Sequence, residues 1–155
     1  MKKEEIIEAI NDKFREMSTE TIMLHQAVAD ILGLHITDHK CLDFIYRFGA
    51  MPAGRLADLT GLTTGAVTGI IDRLENAGYV RRTSDPKDRR RTIVELTRNK
   101  KLERKLELIF IPLRQRMHKL LSSYSDSELS FLLDTTTEIL EQTREESKKL
   151  RSLEN

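Results

Sequence analysis

"LADLTGLTTGAVTGIIDRLENAGYVRRTSDPKDRRRTIVELT", residues Leu56 to Thr97, is the stretch that decides the fold. Two short apolar-periodic segments lie on either side of Gly61. The first covers Ala53 to Thr60; Thr63 or Thr64 caps the second, which runs to about Ala77 and ends at Gly78. Two short helices joined by a tight glycine-containing turn make a helix-turn-helix. In the second helix Val67, Ile70, Ile71 and Leu74 form one apolar stripe, which leaves Gly65, Thr68, Gly69, Asp72 and Arg73 facing outward. Small outward residues suit a helix that enters a DNA major groove, where side chains near its N-terminus reach base edges. An ordinary helix hairpin accounts for them less well, because each exposed glycine costs helix propensity with no packing return.

After Gly78 the period changes. "YVRRT" and "TIVELT" are rich in β-branched residues and roughly alternating, so they read as the two strands of a hairpin around Asp85-Pro86. The hairpin tip is basic. Between Arg81 and Arg91 six cations stand against Asp85 and Asp88, a local charge of +4, while the other 144 residues together carry −3 and the whole chain +1. A basic patch on a nearly neutral body is an electrostatic footprint aimed at one polyanion. A helix-turn-helix followed at once by a basic hairpin is a winged helix, and its wing touches phosphate or enters a minor groove. The recognition-helix set to consider is Thr63, Thr64, Gly65, Thr68, Gly69 and Arg73, and the wing set is Arg81, Arg82, Lys87, Asp88, Arg89, Arg90 and Arg91.

The elements outside this region are long helices. Ile7, Ile10, Phe14, Met17, Thr21, Leu24, Val28 and Ile31 follow alternating steps of three and four, and Gly33 ends that helix. A second helix opens at Thr37 or Asp38, carries Cys41, Leu42, Ile45 and Phe48 on one face, and stops near Gly49. Beyond Thr97, Leu102, Leu106, Ile109, Phe110, Leu113, Met117, Leu120 and Leu121 form a broad stripe in which Pro112 removes a donor and should kink the helix. Leu129, Leu132, Leu133, Ile139 and Leu140 form the last stripe, opened by a capping box of Ser125 and Glu128. The fold class is therefore mainly α with a small β-wing. One domain spans 1–155, with a winged helix-turn-helix at 36–97 and helical regions at 1–35 and 98–155 whose apolar stripes call for a second copy of the chain.

Composition narrows the setting. With 33% charged and 39% hydrophobic residues and no Trp, the chain suits amphipathic helices around one ordinary core. The N-terminal "MKKEEIIEAINDKF" has no uninterrupted apolar region, and nowhere do about 18 apolar residues run together, so a cytoplasmic protein without a membrane segment is expected. The single cysteine agrees with a reducing compartment.

The same stretch, Leu56 to Thr97, resembles the multiple-antibiotic-resistance-regulator (MarR) family of bacterial and archaeal transcription factors. The resemblance rests on the helix ending "DRLENAGYV", the wing pattern Asp88-Arg89-Arg90 and the closing Val94-Glu95-Leu96-Thr97, and the flanking long helices fit the family's layout. It implies a two-fold dimer packed through the terminal helices, duplex DNA as partner, and a small-molecule effector bound where the helical region meets the winged helix. It also implies that the wing arginine matching Arg90 looks toward the minor groove while the aspartate matching Asp88 holds it. Gly69 departs from relatives, which often carry a larger polar or basic residue there.

Other candidate sites are weaker. Cys41 lies on the apolar face of the second helix, where a buried structural thiol outweighs a peroxide sensor. His35, His39 and Cys41 are close enough to raise a metal- or redox-responsive regulator, but the spacing is no standard finger pattern and no metal ligand or cofactor is assigned. No Gly-rich phosphate loop or nucleophile elbow is present, so no enzyme is expected; the competing class is a helical adaptor whose basic hairpin binds an acidic protein.

Removing either of two opposite charges at the wing tip should weaken DNA binding. Arg90→Ala should weaken operator binding by about 1–3 kcal/mol and flatten any preference for A·T pairs flanking each half-site. Asp88→Ala should reproduce part of that loss although it removes a negative charge near DNA. Anisotropy titrations on operators with A·T or G·C flanks check both, and tighter binding by Asp88→Ala would reduce the wing to a plain phosphate clamp.

Overall fold

One buried stripe organises the longer, N-terminal part of the molecule. The structure, a computed structural model, describes residues 2–86, 88 and 92–153, with Lys101 described by its backbone alone. Helix α1 (Lys3–Leu32) is followed by α2 (Ile36–Phe48), strand β1 (Met51–Pro52), α3 (Ala53–Thr60) and α4 (Thr64–Asn76). Strands β2 (Val80–Ser84) and β3 (Thr92–Leu96) lead to α5 (Lys100–Leu121) and α6 (Asp126–Ser152). The chain divides into two compact units, Met1–Glu107 and Leu108–Asn155, at a point inside α5.

In the first unit, Val67, Ile70, Ile71 and Leu74 of α4 are buried together with Leu42 and Ile45 of α2, Leu56 of α3 and Val80 and Val94 of the sheet. Helix α4 packs on α2, α3 and β2 at once. The helix-turn-helix corner follows from local chemistry. Gly61 takes φ 71°, a left-handed value that a residue with a Cβ rarely adopts, and its amide donates to the Ala57 carbonyl to close α3. Thr63 then caps α4, its hydroxyl accepting from the Ala66 amide at 3.2 Å.

The sheet is antiparallel with order β1-β3-β2. The β2–β3 register pairs Val80 with Leu96, Arg81 with Glu95 and Arg82 with Val94. Strand β1 pairs Met51 with Val94 and Pro52 with Ile93, and the sequence did not point to it, because two residues that include a proline carry no strand periodicity.

Two helical expectations meet a different arrangement. Helix α2 opens at Ile36 rather than at Thr37 or Asp38, because His35 serves as its cap: the ring Nδ1 accepts from the Thr37 amide at 3.4 Å. Phe48 leaves the apolar face and is 53% exposed, stacked on Phe44 with centroids 5.9 Å apart and with the Arg47 guanidinium over its ring. Helix α5 continues through Pro112 as one element.

Of the seam on α1 only Val28 is buried, while Ile7, Ile10, Met17, Leu24 and Ile31 stand exposed. In the second unit the capping box of Ser125 and Glu128 starts α6, with the Ser125 amide donating to Glu128 at 2.8 Å, and α6 buries no residue. Among the described residues no helix is long and apolar enough to cross a membrane.

Candidate nucleic-acid interface

The outer face of α4 is assembled by subtraction. With Val67, Ile70, Ile71 and Leu74 turned into the core, Thr64, Gly65, Thr68, Asp72 and Arg73 are exposed and Gly69 is half-buried. Thr63 and Thr64 start the helix, so unpaired amides and hydroxyls cluster at one end. The Thr68 hydroxyl donates to the Thr64 carbonyl at 2.9 Å. It therefore presents lone pairs and a methyl group outward, which suits base amino groups and the thymine methyl.

The charged side chains behave otherwise than their exposure in sequence suggests. Arg73 reaches back across 35 residues to Asp38, with Nε to Oδ2 at 2.8 Å and Nη2 to Oδ1 at 2.7 Å. Asp38 is 3% exposed, so this pair ties α4 to α2 at a buried carboxylate. Arg82 of the wing lies against α4: its Nη2 is 2.5 Å from Asp72, its Nη1 bonds Glu75, and its amide donates to Glu75 at 3.0 Å. These contacts hold the Glu75 carboxyl below the usual carboxylate range, the Arg82 amide contributing most. Arg81 pairs across the ladder with Glu95 at 2.7 Å.

Arg81 and Arg82 thus each have carboxylate partners within the chain, Arg81 with its side chain still 58% exposed. Their charges are met by Glu95, Asp72 and Glu75, and Arg82 braces the wing against the recognition helix. Asp85 and Asp88 each take part in a contact within the chain. Lys87, Arg89, Arg90 and Arg91, the rest of the expected wing set, lie outside the described residues. Arg55 on α3 and Arg98 just after β3, cations that the sequence did not single out, make no ion pair or side-chain hydrogen bond among the described residues. The one available signal for Asp38 was an acid in the apolar series with Cys41, Leu42 and Ile45, a position that demands a buried partner.

The base of the wing is fixed from two sides. The Tyr79 hydroxyl donates to the Leu32 carbonyl at the end of α1 at 2.6 Å, and the Thr97 hydroxyl donates to the Gly78 carbonyl at 2.6 Å.

Comparison with known proteins agrees with this geometry. The MarR family model matches residues 34–92. The HTH-type transcriptional regulator YcgE of Bacillus subtilis, itself uncharacterized, is 42% identical over 139 residues, covering 89% of this chain and 88% of that protein. The chain belongs to the MarR family. As a MarR-family chain it is a DNA-binding transcriptional regulator and not an enzyme. Two solved structures share the fold. A MarR family protein from Bacillus stearothermophilus superposes with a TM-score of 0.67 at 17% identity, covering 93% of this chain and 99% of that one. A variant of S. aureus MepR bound to an oligodeoxyribonucleotide superposes with a TM-score of 0.55 at 19% identity, covering 86% and 97%.

His35, His39 and Cys41 take different roles in this MarR-family regulator. His35 caps α2, Cys41 is buried, and His39 faces His25 of α1, with His25 Nδ1 and His39 Nε2 3.2 Å apart. Among the described residues no three His, Cys, Asp or Glu side chains are placed to hold a metal ion. Burial, followed by the Asp38 charge, pushes the Cys41 thiol up to about 11, which leaves little nucleophilic thiolate.

His39 gives the fold a pH dependence. Burial and then the neighbouring His25 lower its value from 6.5, and its buried Nδ1 has no hydrogen-bond partner among the described residues. The unfolded chain takes up the proton first as pH falls, so stability is full above about pH 6.5 and declines below it until the folded-state value is reached. Urea unfolding at pH 8 and pH 5.5 should show a loss in the wild type that is smaller in His39→Gln. An equal loss in both would contradict this origin.

Proposed function

We propose that this chain is a sequence-specific regulator that binds a pseudo-palindromic operator in duplex DNA as a homodimer, represses by occluding a promoter, and is released by a small ligand. The single observation that carries the reading is the outer face of α4. It bears hydroxyls and glycines, its opposite face is buried, and the wing beside it is braced by Arg82. Thr63, Thr64, Gly65, Thr68 and Gly69 would line the major groove, and the wing tip with Lys87, Asp88, Arg89, Arg90 and Arg91 would meet the flanking minor groove or phosphates. Arg55 adds a cation on the first helix of the helix-turn-helix, the element that crosses the DNA backbone in this motif.

The exposed apolar residues of α1 and the lack of any buried residue on α6 support the dimer, with 1–35 and 98–155 as its helical region. Two-fold symmetry sets half-sites about one helical turn apart. A groove of about 260 Å³, lined by Tyr46, Leu96, Leu102 and Leu106 with Arg98 at its edge, supports the ligand step, since it joins the end of β3 to the start of α5. The cytoplasm, where the chromosome lies in the organisms of this family, is the compartment this function needs.

Genomic fragments selected on the dimer supply the operator for a test. The protein should prefer one inverted repeat over a scrambled duplex and lose affinity steeply with salt, and Thr68→Leu should abolish the preference while leaving the melting temperature near that of the wild type. Unchanged specificity in Thr68→Leu would take this helix out of the groove, and equal binding to scrambled DNA would favour an adaptor that meets an acidic protein.

A further inference from the structure

Arginine carries five N–H donors on two usable edges, one formed by Nε and Nη2 and the other by Nη1 and Nη2. In Arg73 the first edge is occupied by Asp38, Nε and Nη2 each donating to a different carboxylate oxygen. The second edge is not consumed. Nη1 makes no hydrogen bond among the described residues, and the side chain remains 57% exposed although its partner is buried.

Gly69 completes the arrangement. Arg73 Nη1 lies 3.6 Å from where a Cβ at Gly69 would sit, so the guanidinium lies along the outer face of α4 over the turn that has no side chain. A longer side chain at that position would stand beside the open edge. Gly69 thus leaves the approach to Arg73 clear.

From this geometry we infer that Asp38 is a positioning residue for DNA binding: it clamps one edge of Arg73 so that the other edge is presented, pre-ordered, to a DNA phosphate. Phosphate rather than base is the partner because of where Arg73 stands. It is nine residues beyond Thr64, about 13 Å along the helix, and a helix that enters the groove by its N-terminal end carries its third turn at the groove's rim. Two non-bridging phosphate oxygens match the open edge of a guanidinium in the same bidentate way that the carboxylate matches the closed one. Holding the side chain in advance removes the rotamer entropy that an unrestrained arginine would lose on binding. Asp38 itself never touches DNA.

This inference rests on the proposed docking of α4 on duplex DNA, and its test separates the two. Equilibrium dissociation constants are measured for operator and scrambled duplex over a range of salt for wild type, Asp38→Ala and Arg73→Lys, with a thermal melt of each. Lysine keeps the charge beside Asp38 but has no second edge, so Arg73→Lys should bind both duplexes roughly tenfold more weakly, with the slope of log K against log salt lower by about 0.9. Asp38→Ala should also weaken both duplexes several-fold, although loss of a carboxylate near a polyanion favours tighter binding on charge alone. Wild-type affinity and slope in Arg73→Lys, or tighter binding by a folded Asp38→Ala, overturns the clamp while leaving α4 docking intact. If Asp38→Ala fails to fold, Arg73→Lys decides alone. A wild type that binds neither duplex overturns the docking and the clamp together.

Discussion

Four apolar side chains on one helix constrain everything else in the first unit. Val67, Ile70, Ile71 and Leu74 of α4 are held by α2, α3 and the sheet, and each buried side chain of this kind contributes about 1.5–3 kcal/mol relative to exposure. Rotating α4 would expose all four. The direction of its outer face is therefore fixed by the core, and the hydroxyls and glycines on that face are presented in one orientation before any partner arrives. The glycine corner at Gly61 and the Thr63 cap serve the same end, because they set where the helix starts.

Charge then fastens two neighbours to this helix. Asp38 grips α4 from α2, and Arg82 grips it from the wing through Asp72 and Glu75. The wing is consequently part of one body with the recognition helix at its base, whatever its tip does. The same pairing alters the electrostatic account of DNA binding. Of the cations in the basic run, Arg81 and Arg82 are matched by carboxylates. Phosphate neutralisation would draw on the tip, on Arg55 and on the edges that Arg73 and Arg81 leave open beside their carboxylates, each side chain being more than half exposed.

Most of the architecture was legible because it rests on periodicity and turn chemistry. The apolar steps of α4, the Gly61 and Gly78 stops and the alternating strands all follow from local rules, and the structure keeps them within a residue or two. The short strand β1 was not legible, since its pairing with β3 is a tertiary fact that two residues cannot announce. The ion pairs were hidden for a similar reason: Asp38 and Arg73 lie 35 positions apart, and nothing in their spacing says that they meet. Phe48 shows the converse, an apolar residue in the right phase that is left 53% exposed at the end of the helix, with only Phe44 and Arg47 against its ring. On the candidate site, the outward residues of α4 were readable from helical phase, whereas the roles of Arg81 and Arg82 depended on carboxylates in other elements.

On the proposed function, α4 and the base of the wing act as one reading unit, used twice per operator. Hydroxyl-radical footprinting of the protein on its selected operator tests this most directly. The account predicts two protected segments related by two-fold symmetry with centres about one helical turn apart, each flanked on its outer side by a protected minor groove where the wing lies. A single protected segment, or paired segments without the outer minor-groove protection, would contradict it.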